Sequence, residues 1–237
     1  VRRLDEQAEI VVFERGAHVS FSNCSLPYYL SGTVKKSASL VMMTPEAFQH
    51  RFNINVRTDS EVVEINREKK TVTVLDKIAG KTYEEAYDKL VLAPGASAVV
   101  PKSIKGAGAK HVFTVRNVTD ICAVKDYIDQ TGAQNIVVAG AGFVGLEVAE
   151  NLKAAGKNVS VVEGADQVMA PFDYDMAQIL HKEIVDQGIH LYLSSMVTEI
   201  TEQAVIAQRN GQTVEIPAEA VILSIGVRPE TGLAVKA

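Results

Sequence analysis

Residues 135–163 read NIVVAGAGFVGLEVAENLKAAGKNVSVVE, and few arrangements of strand and helix accommodate that order. NIVVA (135–139) is a short, apolar, β-branched run of the kind buried in a parallel sheet. GAGFVG (140–145) follows at once. LEVAENLKAAG (146–156) puts Leu146, Ala149, Leu152 and Ala155 at helical spacing and closes on a glycine. NVSVVE (158–163) is a second strand ending on an acid. The pattern predicts strand, glycine turn, helix, strand. The glycines have separable roles. Gly140 permits the tight turn, Gly142 lets the backbone approach a pyrophosphate, and Gly145 lets the helix pack close to the strand. The helix N-terminus offers unpaired N–H groups and a positive dipole end to phosphates. Glu163 is placed to accept hydrogen bonds from a ribose diol. The following Gly164, Ala165 and Asp166 offer no cation for a 2′-phosphate, so NADH is expected over NADPH.

The rest of the chain repeats the theme. DYDMAQILHKEIVDQG (173–188) predicts an amphipathic helix and IHLYL (189–193) a strand. VTEIT, AVIAQ and TVEIP predict short antiparallel strands, with Asn210-Gly211 as the hairpin turn between the last two. AVILSIG (220–226) is a further apolar strand. In the first hundred residues, RRLDEQ is expected to end a helix and AEIVVFE (8–14) to be a strand ending in Glu14. EVVEINRE, KTVTVLD and KTYEEAY form an expected β-meander, and DKLVLAPGA (88–96) a strand running into a glycine turn. Glu14 resembles a second ribose-binding acid, without the glycine loop that should precede it. A strand and loop are therefore expected upstream of Val1, and the pattern also stops short at Ala237.

Composition limits the partners. The 237 residues carry 24 basic against 29 acidic side chains, net −5, which argues against nucleic acid. The longest apolar stretch, around 136–149, is broken by its glycines and Glu147, so it is not expected to span a membrane. VRRLDEQAEI lacks the apolar core of a signal peptide. Cys24 and Cys122 lie far apart and give no disulfide framework, which points to a reducing cytoplasm. The five histidines show no metal-ligand spacing, and no metal is expected.

FERGAHVSFSNCSLPYYLSG, TPEAFQHRF, YDKLVLAPGA, GAGFVGLEVAENL and SIGVRPET, in that order, resemble the pyridine nucleotide-disulfide oxidoreductases of the branch with a single redox cysteine. SFSNCSLPYY is most similar to coenzyme A-disulfide and coenzyme A persulfide reductases, with Ser22 and Ser25 replacing smaller residues. The resemblance implies an α/β fold of two Rossmann-like dinucleotide-binding domains, for FAD and NAD(P), each a parallel sheet plus a β-meander. The FAD domain would span 1–110 and resume at 227–237, with the nicotinamide domain at 111–226. It also implies a homodimeric full-length protein. For the flavin it implies Glu14, Arg15, Val62, Pro94, Gly95 and Arg116. For the nicotinamide nucleotide it implies Gly140, Gly142, Phe143, Val144, Gly145, Glu147, Glu163 and Gly226. For coenzyme A it implies Arg3, Ser20, Asn23 and Arg51.

Alternatives stand beside several of these. Arg3 and Arg51 fit solvated surface charges equally well, Ser20 and Asn23 fit local turn capping, and Glu147 fits a partner for Lys153 or another helix neighbour. Tyr28 and Tyr29 are expected to pack in the core. Cys122 fits a core position, on a predicted helix with Val118, Ile121 and Val124. Cys24 precedes LPYYL, where Pro27 suits the first turn of a helix. Unpaired N–H groups there stabilise a thiolate, the form that attacks disulfides. The implied route is hydride from NADH to flavin, then electrons to Cys24, which forms a mixed disulfide with a small thiol. The alternatives are an NADH oxidase or peroxidase cycling Cys24 through a sulfenic acid, and an inactive nucleotide-binding fragment.

Overall fold

Strand Asn135–Ala139 lies inside a five-stranded sheet, in the order 190–192, 158–162, 135–139, 220–223, 112–114. Every pairing in it is parallel. Ile136, Val137, Val138 and Ala139 are all buried, as a strand covered on both faces requires. Helix Phe143–Ala154 buries Gly145, Val148, Ala149, Asn151 and Leu152. Helix Val118–Thr131 buries Val118, Ile121, Val124 and Ile128. It is capped by Asn117, whose side chain accepts the Asp120 N–H, and it closes on left-handed Gly132. Strands Ser195–Ile200, Ala204–Arg209 and Gln212–Pro217 form an antiparallel meander. Asn210 (φ 50°) and Gly211 (φ 78°) take the left-handed pair that a tight hairpin demands.

This is a computed structural model describing residues 1–237. The chain divides into two compact units, the first Val1–Ser22, Val41–Ala96 and Pro229–Ala237, the second Asn23–Leu40 and Ser97–Arg228. Residues 23–40, which hold Cys24, group with the second unit, an association that a division at residue 110 does not include. In the first unit, strands Val11–Phe13 and Asn55–Arg57 pair in parallel. Strands Ser60–Asn66, Thr71–Asp76 and Lys81–Ala86 form its meander, around buried Ile65, Val72 and Val74. The fold class is thus the expected one, parallel sheets accompanied by meanders.

Three local expectations are corrected. Residues 1–7 form turns rather than a helix end. Arg2 stabilises them, its guanidinium donating to the Phe52, Glu6 and Asn53 carbonyls at 2.8, 2.6 and 2.7 Å. Residues 88–95 form no strand; the nearest one is Ala96–Ala98. An apolar run becomes a strand only where a ladder is offered, and Val91 stays 82% exposed. Tyr28 is 41% exposed, because its short helix turns Leu26, Pro27 and Leu30 inward instead.

Glu219 joins the meander to the central strand. Its Oε2 accepts the Gln134 and Asn135 N–H groups, both at 2.8 Å, and these bonds hold the carboxyl below its usual range. A lowered folded-state pKa adds stability above the unfolded value and loses it as pH falls through the folded one. Glu219→Gln is therefore expected to lower Tm most above about pH 5 and progressively less towards pH 3, checked by thermal melts across that range.

Candidate nucleotide and thiol sites

The ladder sets the geometry of the first site. Ala139 is level with Val162 on one side and Leu223 on the other. The next residues, Gly140, Glu163 and Ser224, therefore leave the sheet together at its C-terminal end, where ligands of open α/β sheets bind. Gly140 turns with φ 102°, and a Cβ there would lie 2.5 Å from the Ser224 carbonyl oxygen. A Cβ on Gly145 would lie 2.0 Å from the Gly140 carbonyl oxygen. Gly142 faces open space, with nothing within 4 Å of a Cβ. It is the helix N-cap and brings no side chain to the first-turn N–H groups, which suits a pyrophosphate. The loop thus fits a dinucleotide in the manner its glycine spacing suggests.

Around the loop, Phe143 and Val144 are exposed, and Phe143 meets Phe172 edge-on at 6.4 Å. Glu147 makes no ion pair with Lys153, whose Nζ donates instead to the Gly188 carbonyl at 2.9 Å. Gly226 is exposed with φ 115°. Two further side chains at this end of the sheet escape sequence reasoning. The Ser224 Oγ lies 3.1 Å from both the Ala139 and Gly140 carbonyl oxygens. The His181 Nε2 accepts the Val168 N–H at 3.0 Å. A lone serine after an apolar strand and a lone histidine on a helix carry no spacing signal.

In the first unit, Glu14 ends strand Val11–Phe13 as Glu163 ends Asn158–Val162, and the two share a set of turn and ladder bonds. Each carboxylate Oε1 accepts the N–H two residues on, Gly16 at 2.7 Å and Ala165 at 2.9 Å. Each glutamate N–H donates to the end of the neighbouring strand, at Arg57 and Tyr192. Each glutamate carbonyl accepts from the serine that opens a meander, Ser60 and Ser195. The residue before that serine is left-handed in both, Asp59 at φ 49° and Ser194 at φ 50°.

Glu14 and its turn bond to Gly16 lie at the C-terminal end of their strand, as Glu163 lies at the end of its own. Arg15 pairs with Glu230 at 3.6 Å. Val62 flanks a bulge in its strand. Pro94 and Gly95 are exposed, Gly95 at φ 71°. Arg116 belongs to the second unit; its backbone N–H donates to Asp120, whose carboxyl burial pushes above the usual range.

Cys24 is exposed and unbridged. It sits in the 3₁₀ turn Asn23–Ser25, directly before helix Leu26–Leu30, with Pro27 in the first turn as expected. That helix has five residues and packs against helices Val118–Thr131 and Phe143–Ala154 through Leu26 and Leu30. Burying such a leucine contributes about 1.5–3 kcal/mol, which fixes the turn that presents the thiol. Asn23 is exposed beside it. Ser20 lies on a strand of the first unit. Arg3 is exposed there, and Arg51 lies over the Phe52 ring at 5.2 Å. Cys122 is half-buried, and burial, aided by Asp126, pushes its thiol above the ordinary range.

Residues 1–237 match the model of the family described as pyridine nucleotide-disulphide oxidoreductase over their whole length. The chain belongs to this family. Among oxidoreductases of the family, a coenzyme A disulfide reductase of Staphylococcus haemolyticus is 33% identical over 98% of this chain and 51% of its own. An NADH oxidase of Methanocaldococcus jannaschii is 35% identical over 100% of this chain and 53% of its own. The crystal structure of reduced Bacillus anthracis CoADR-RHD superposes with TM-score 0.94 at 42% identity, covering 100% of this chain and 42% of that one. The chain spans about half the length of the curated relatives it matches.

Gly140→Ala forces a side chain into a positive-φ turn and against the Ser224 carbonyl. It is expected to cost about 2–4 kcal/mol of stability and to abolish nucleotide binding, checked by denaturant melts and NADH titration.

Proposed function

We propose that this chain is the nucleotide- and thiol-bearing part of a flavin-dependent reductase that takes electrons from NADH and reduces coenzyme A disulfide or persulfide at Cys24. The observation that carries the reading is an exposed, unbridged Cys24 on a packed turn, in a chain similar to a coenzyme A disulfide reductase. The glycine loop 140–145 would hold the NADH pyrophosphate, with Phe143, Val144, Glu147 and Gly226 around the dinucleotide and Glu163 at the adenosine ribose. Glu14, Arg15, Val62, Pro94, Gly95 and Arg116 would hold FAD. Bound there, the flavin supplies two-electron transfer between nicotinamide and thiol.

Cys24 Sγ, as thiolate, attacks one sulfur of the substrate disulfide. A bond forms between Cys24 and that sulfur, the substrate S–S bond breaks, and the first thiolate leaves. Two electrons then cleave the mixed disulfide, restoring the Cys24 thiolate and releasing the second thiol. Two protons complete the two thiol products. Arginine forks at Arg3 and Arg51 would meet coenzyme A phosphates, with Ser20 and Asn23 as polar contacts near the thiol. A reducing cytoplasm and a homodimer of the full-length protein belong to the same reading.

The similarity to an NADH oxidase supports a second reading, in which Cys24 cycles through a sulfenic acid. The mass of the adduct on Cys24 separates the two: coenzyme A for the first, a single oxygen for the second. In the full-length enzyme, Cys24→Ser is expected to cut coenzyme A-disulfide reduction by at least about a hundredfold while NADH still bleaches the flavin. Cys122→Ala should leave turnover within about twofold. Near-native disulfide reduction by Cys24→Ser would remove Cys24 from the redox centre.

The native enzyme should also prefer NADH to NADPH by roughly tenfold to a thousandfold in kcat/KM, because the Glu163 carboxylate repels a 2′-phosphate. Equal use of the two would take Glu163 away from the ribose.

A further inference from the structure

The Glu163 carboxylate is engaged by the protein itself. Its Oε2 accepts the Ala141 N–H at 2.7 Å, and its Oε1 accepts the Ala165 N–H at 2.9 Å. The Ala141 carbonyl accepts the Met169 N–H at 2.9 Å. Ala141, buried to 1% exposure, is therefore gripped from both sides. Gly140 is held as well, its N–H donating to the Val162 carbonyl at 2.8 Å and its carbonyl lying 3.1 Å from the Ser224 Oγ, whereas the Ala141 N–H is held by Glu163. In the matching frame around Glu14, Oε1 makes the equivalent turn bond to Gly16.

We propose that Glu163 is a positioning residue that latches the glycine loop to the 164–169 turn, holding the first-turn N–H groups of helix Phe143–Ala154 ready for a diphosphate, apart from any contact with ribose. This rests on the nucleotide reading of the loop. Each carboxylate oxygen accepts more than one hydrogen bond, so a latch and a diol contact coexist on one side chain. Bonds from a backbone N–H to a carboxylate are among the stronger ones. A glutamine at 163 has nearly the same shape but turns an NH2 towards one of the two N–H donors, so one latch bond is lost.

The test uses full-length holoenzyme, native and Glu163→Gln, with ADP and 2′,3′-dideoxy-ADP as inhibitors competing with NADH. Dideoxy-ADP keeps the diphosphate and lacks the diol. The latch predicts that Glu163→Gln raises the inhibition constant of dideoxy-ADP about tenfold. An unchanged constant for dideoxy-ADP beside a raised one for ADP overturns the latch and leaves the ribose contact standing. Native enzyme that binds neither compound overturns the nucleotide reading and the latch with it. Amide exchange in native, nucleotide-free enzyme is a second measurement that needs no variant. Slow exchange at Ala141 is expected, and exchange at the rate of an open loop overturns the proposal.

Discussion

The parallel register of strand Asn135–Ala139 is the constraint on which the second unit depends. Its two neighbours end level with it, at Val162 and Leu223. A shift of one residue in either would turn buried valines and isoleucines to the opposite face of the sheet. It would also separate Gly140 from Ser224 and Ala141 from Glu163. The hydrophobic burial that fixes the ladder thus fixes the loop.

The two units solve one structural problem in one way. A glutamate ends a parallel strand, the chain turns back within two residues, and a left-handed residue followed by a serine opens a meander on the neighbouring strand. The bonds of that frame are almost all backbone to backbone, so many sequences satisfy it. This explains why the chain reads as a repeat although residues 1–30 and 135–170 share little beyond a strand and a terminal acid.

The fold is legible wherever the signal is local. The strand–turn–helix–strand order at 135–163, both meanders and the Asn210-Gly211 hairpin follow from periodicity and from residues that tolerate positive φ. Cys24 before a proline-led helix is equally visible. Residues 88–95 mislead because DKLVLA has the composition of a strand, while strand formation needs a neighbour that no local pattern reports. Tyr28 misleads because a one-turn helix offers too few positions to define a buried face. The double engagement of Glu163 is out of reach, since it depends on the register of two strands and on a backbone N–H at Ala141. Ser224 and His181 are hidden for the same reason: their partners are backbone atoms distant in sequence.

The division of the chain has a consequence for its synthesis. The first unit takes its last segment from Pro229–Ala237, and the second is continuous only from Ser97 to Arg228 with Asn23–Leu40 added. On the ribosome, therefore, neither core closes until residue 228 and beyond has emerged. The thiol-bearing turn and helix Leu26–Leu30 are made early and wait for helices Val118–Thr131 and Phe143–Ala154, encoded far downstream. During that interval leucines and valines of the early segments face water or whatever else binds apolar surface. A nascent chain arranged like this exposes those side chains for longer than two sequential domains of the same size would.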